Sequence, residues 1–140
     1  MVPGVPHEAL EKRFGEPVLS FTDPDGMSLA LVGVTGASAE PAWSDASIPV
    51  EHAIRGFHGV TLLLEDAART GAILTNVLGF EAAGREGAIS RYRAPNAVGG
   101  VVDIYEARGF LQGRLGRGCV HHIAFRAADD ATEAKMRASS

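Results

Sequence analysis

The chain has 140 residues, 46% of them hydrophobic and 21% charged, with a formal net charge of −4. That size suits one domain able to bury roughly 70% of its unfolded surface, and the composition excludes global disorder. The acidic balance excludes nucleic acid as the main partner, because phosphate binding needs a concentrated basic face. No apolar run reaches the ~20 residues needed to cross a bilayer, so no membrane partner is expected. The first residues, Met1-Val2-Pro3-Gly4, lack a basic segment followed by an apolar one, and a cytoplasmic location is expected. A single cysteine, Cys119, fits a reducing compartment and reads as a buried strand residue.

In chain order, a helical turn is expected over Glu8 to Phe14, then a strand at Val18-Leu19-Ser20-Phe21. Asp23-Pro24-Asp25-Gly26 is a turn by its chemistry, and Leu29-Ala30-Leu31-Val32 completes a strand-turn-strand unit. Residues 35–54 lose periodicity and read as a linker, with Trp43 as the large apolar group that would pin it to a core. A strand at 56–64 follows, and then a helix at 66–78 whose Ile73, Leu74, Val77 and Leu78 form an apolar stripe. Gly79 supplies the helix stop. Three strands come next, near Phe80 to Arg85, Ala88 to Ala94 and Val101 to Tyr105, so residues 55–106 read as β-α-β-β-β. A glycine- and arginine-rich connection at 107–117 leads to a further strand in 118–140, where Asp130 with Glu133 resembles a capping box for a helix cut short at Ser140.

Two segments are versions of one another. Gly56-Phe57-His58-Gly59-Val60-Thr61-Leu62-Leu63-Leu64-Glu65-Asp66 aligns without a gap on Val120-His121-His122-Ile123-Ala124-Phe125-Arg126-Ala127-Ala128-Asp129-Asp130, with His58 on His122. A histidine near the start of each of two repeated strands suggests a metal site between repeats. Alternation along a strand puts His58 on one face with Val60 and Leu62, and His122 with Ala124 and Arg126; these faces are expected to line the cavity. His7 and His52 are expected to be solvent exposed. The chain reads as a window from a longer repeat array: residues 1–34 end a preceding unit, 35–54 link, 55–106 form a complete unit, 107–117 connect, and 118–140 begin the next.

Gly-Phe-His-Gly-Val, Leu78-Gly79-Phe80 closing the helix, Asp23-Pro24-Asp25-Gly26 before a strand, and His121-His122-Ile123-Ala124-Phe125 together resemble the vicinal oxygen chelate superfamily. This group takes in glyoxalases, bleomycin-resistance proteins and extradiol dioxygenases, and the likeness is greatest to the two-domain ring-cleaving, hydroquinone-type dioxygenases. The resemblance implies an α+β fold of paired βαβββ modules around a divalent metal, most simply Fe(II), with Zn, Ni and Mn as alternatives. It maps His58 and His122 onto two histidine ligands, and the third ligand, a glutamate, would lie beyond Ser140. Asp103 is the carboxylate of suitable register that would stand in for it. The position that carries a metal-binding glutamate in related lyases is Ala30 here.

The function implied is metal-dependent cleavage of a catechol- or hydroquinone-type ring with O2, for which two histidines and a carboxylate on one face leave the other face open. His121, beside His122, is the candidate catalytic proton shuttle, and Arg126 the candidate substrate-binding cation. The alternatives are a glyoxalase-like lyase or isomerase, against which Ala30 argues, and a metal-free antibiotic-binding protein of the same fold. The 140 residues alone are expected to be inactive and to pair as a homodimer or strand-exchanged oligomer, because truncated modules leave open sheet edges.

Overall fold

The computed structural model describes residues 4–43, 47–95, 99–109, 116, 119–125 and 129–138. It is a mixed α+β structure dividing into two compact units, Met1–Phe57 with Arg114–His121, and His58–Gly113 with His122–Ser140.

The first unit holds a three-stranded antiparallel sheet in the order β1 (Glu11–Arg13), β2 (Glu16–Thr22), β3 (Ser28–Val32). The helical turn expected over Glu8 to Phe14 is not formed; β1 occupies it instead. Phe14 and Gly15 both take positive φ, 51° and 79°, between the paired residues Arg13 and Glu16. Two left-handed residues in a two-residue loop match the twist of a hairpin, and that turn overrides the weak helical signal. The second turn follows its sequence chemistry. Asp23 Oδ1 accepts the backbone N–H groups of Asp25 and Met27 at 2.9 and 2.8 Å, and Gly26 closes the turn onto the Asp23 carbonyl at φ 89°.

Between the sheets the chain makes 3-10 turns at Ala37–Ala39 and Val50–His52. Arg55 fastens this stretch by donating to the carbonyls of Glu40 and Val50, each at 2.9 Å. Trp43 does not pin it: it is 71% exposed, and the Arg55 guanidinium does the fastening.

The second unit is built on a four-stranded sheet in the order β4 (Gly59–Leu64), β7 (Val101–Glu106), β6 (Ile89–Arg93), β5 (Glu81–Glu86). β4 runs parallel to β7 and the other pairs are antiparallel. The parallel pair requires a crossover, and helix α1 (Ala68–Asn76) supplies it. The helix packs against one face. Leu74, Ala67 and Phe80 form its core with Val102 and Ile104 of β7, joined by Val60, Leu62 and Leu64 of β4 and by Tyr92 of β6. Close packing is visible at Gly71, where an added Cβ would lie 2.2 Å from the Tyr92 hydroxyl. Gly79 at φ 71° ends the helix where the sequence places the stop.

Helix α2 (Asp130–Ala138) starts one residue after Asp129, which is its cap. The side chain of Asp129 accepts the Thr132 N–H at 2.7 Å, so the capping function read onto Asp130 belongs to its neighbour. Residues 119–125 form no strand among the described residues, contrary to the strand expected there, and Cys119 is exposed rather than buried. Strand geometry is maintained by a ladder partner, and no ladder with this segment is present among the described residues. No helix among the described residues is long and apolar enough to cross a membrane.

Candidate functional site

His58 sits immediately before β4 and is half-buried, with its Nε2 enclosed. His122 and the adjacent His121 are exposed. His7 and His52 are exposed as expected. Arg126 lies outside the described residues.

Asp103 occupies the middle of β7, paired in register with Thr61 on one side and Arg91 on the other. Its two carboxylate oxygens each accept from the Arg91 guanidinium at 2.8 Å, Oδ1 from Nε and Oδ2 from Nη2. Both residues are buried, at 4% and 3% exposure. A bidentate pair of this kind satisfies the fork of the guanidinium and both carboxylate oxygens together. Arg91 escaped the sequence reading, although its signal was there. Counting outward from the break between Ala94 and Gly100, whose backbone groups bond at 2.8 Å, sets residue 91 opposite 103.

The cavity face expected from alternation is corrected by the structure. Val60 and Leu62, read as cavity lining together with His58, pack against the core beneath α1. The helix covers that face because the apolar stripe of α1 needs a sheet to rest on, and β4 offers its larger side chains there. The face of β4 turned away from the helix carries Gly59, Thr61 and Leu63, beside Val101, Asp103 and Tyr105 of β7.

Among the described residues no group of three or more histidine, cysteine, aspartate or glutamate side chains stands in an arrangement able to hold a metal ion. The described residues therefore do not by themselves assemble the two-histidine, one-carboxylate set suited to non-heme iron. At the far end of β4 from His58, a shallow depression of about 410 Å³ is lined by Glu65, Asp66, Arg108 and Gly109, none of them a candidate site residue of the sequence.

Comparison with known proteins gives a consistent picture. The chain is 40% identical over 126 residues to MhqO of Bacillus subtilis strain 168, named a ring-cleaving dioxygenase, a match covering 90% of this chain and 39% of that protein. It is 33% identical over 133 residues to the chlorohydroquinone/hydroquinone 1,2-dioxygenase of Sphingobium indicum, covering 91% of this chain and 41% of the relative. A crystal structure of a Bacillus subtilis protein described as a dioxygenase superposes with a TM-score of 0.83 at 36% identity, covering 96% of this chain and 43% of that one. No family model matches the chain. The chain is related to proteins named as ring-cleaving dioxygenases and spans about two fifths of the length of the curated relatives it matches.

Proposed function

We propose that this chain is part of a ring-cleaving dioxygenase that opens a catechol- or hydroquinone-type aromatic ring by inserting both atoms of O2. The observation that carries the reading is the agreement of sequence and structure over nearly the whole chain: 40% identity to MhqO across 90% of it, and a TM-score of 0.83 to the solved dioxygenase across 96%. The name of the Sphingobium relative supports hydroquinones as the substrate class.

Fe(II) is the cofactor this reading calls for, and the described residues fit only part of its ligand set. Exposed His122 is the imidazole that this chain is best placed to contribute. Asp103 is committed to Arg91 through both oxygens, which favours the missing carboxylate coming from elsewhere in the full-length protein. His121, also exposed, is the neighbouring group that would move a proton during the reaction.

The full-length protein loaded with Fe(II) should consume O2 with hydroquinone, chlorohydroquinone or catechol and incorporate both atoms of labelled O2 into a ring-opened product. Absence of O2 uptake with every aromatic diol would sink the reading.

A further inference from the structure

We propose that the stretch between β3 and β4 carries an apolar docking surface, centred on Trp43 and Ile54, which in the full-length enzyme is covered by the polypeptide lying outside these 140 residues. The proposal rests on the reading that this chain is part of a longer dioxygenase. It goes beyond that reading by naming the surface on which the rest of the protein sits.

A linker is ordinarily polar and solvated. Here Trp43, Ile48, Val50, Ile54 and Phe57, all between residues 43 and 57 and all in the first unit, are 71, 48, 53, 66 and 68% exposed. Apolar side chains scattered singly over a surface need no explanation, but several large ones in one fastened stretch do. The fastening is explicit. Trp43 donates its backbone N–H to the Ile54 carbonyl at 3.4 Å, and the Arg55 guanidinium reaches the carbonyls of Glu40 and Val50, each at 2.9 Å. These bonds gather the backbone at residues 40, 43, 50 and 54 around one arginine and leave the tryptophan outside. The surface is formed before anything covers it, so docking requires little further ordering. Tryptophan is also among the residue types that dominate the centres of interfaces.

Two observations identify the occupant. The matches to relatives cover 90, 91 and 96% of this chain but only 39, 41 and 43% of the relatives, so more than half of each relative has no counterpart here. The second is size. Five partly exposed side chains amount to a few hundred Å², short of the ~800 Å² per partner of a stable interface between separate molecules. A segment joined through the same backbone docks at high effective concentration and needs no such area. Its contacting side chains should be apolar, because a charge placed against Trp43 and Ile54 would lose water without gaining a partner.

Hydroxyl-radical footprinting of the full-length protein, read by mass spectrometry, reports on Trp43 by itself. Trp43 should be oxidised at least about 5-fold more slowly in the native protein than in urea, as befits an aromatic side chain enclosed at the centre of an interface. The protection should persist on serial dilution. Oxidation as fast as in the unfolded protein, in an enzyme that consumes O2 with hydroquinone, overturns the proposal and leaves the dioxygenase reading intact. Protection that vanishes as a dimer dissociates on dilution also overturns it and assigns the surface to a second copy. Persistent protection in a protein that takes up no O2 with any aromatic diol upholds the surface and removes the dioxygenase reading.

Discussion

Gly59–Leu64 gives six residues to a parallel ladder with Val101–Glu106, whereas residues 119–125 join no ladder among the described residues, although both segments follow the pattern of a histidine and then large apolar side chains. What separates them is the surroundings. β4 lies beside a central strand whose Val102 and Ile104 are buried at 1% and 0% exposure, and beneath a helix that covers its apolar side. The second segment has Phe125 against Phe80, yet Val120 and Phe125 remain 58% and 42% exposed. An alternating sequence thus specifies a face, and neighbouring strands decide whether the face becomes part of a sheet.

The comparison breaks most severely at the central strand. Removing one partner of the Arg91–Asp103 pair leaves a buried charge without compensation, which costs about 3–5 kcal/mol in such sites. Arg91→Ala should therefore reduce stability by that amount in urea unfolding, and the exchange of β4 amide protons should speed up with it. Replacing both residues by Met and Leu should recover most of the loss, because a well-packed apolar pair avoids the desolvation of two charges. A single variant as stable as wild type would show that the pair does not hold the strand.

Gly59→Ala tests the close approach of β4 to β7. Its Cβ would meet the Val101 carbonyl, which is backbone and moves only with the strand, so the expected cost is about 1–3 kcal/mol. Gly116, preceding the second segment, has nothing within 4 Å of its added Cβ. Gly116→Ala should accordingly stay within about 0.5 kcal/mol of wild type. Equal losses for the two variants, measured by the same denaturant curves, would remove the contrast between the segments.

Much of the second unit was legible in the sequence because its signals are local. The stripe Ile73, Leu74, Val77, Leu78 and the stop at Gly79 mark α1, and alternating runs between turn residues mark β6 and β7. In the first unit, the Asp-Pro-Asp-Gly turn carried the same kind of information, through one carboxylate that takes up two N–H groups. Other features depend on tertiary partners. Glu8 to Phe14 has a local pattern compatible with a helical turn, and only the left-handed pair at Phe14 and Gly15 converts it into a hairpin. Among the candidate site residues, the histidines and Asp103 stood out by type. Which face of β4 turns to the helix is not carried by residue type, and it is known only once Val60 and Leu62 are seen resting on the core.

The smallest effect is expected at Asp129, where the second segment passes into α2, and there the comparison of the two segments sharpens. Hydrogen bonds from Thr132, its backbone N–H foremost and its side chain next, hold the Asp129 carboxyl below the usual aspartate range. A carboxylate bound more tightly to a proton in the unfolded chain than in the folded one stabilises the fold above the ordinary aspartate pKa, about 3.9, and the contribution fades as pH falls through the lowered value. Asp129→Ala should reduce the helical Cα chemical shifts of residues 130–138 at neutral pH while leaving those of α1 unchanged. Asp129→Asn should keep the cap, since an amide oxygen also accepts the Thr132 N–H, and should abolish the acid-induced loss of helicity in α2 that wild type shows. Equal acid sensitivity in wild type and Asp129→Asn would mean that another group governs that end of the chain.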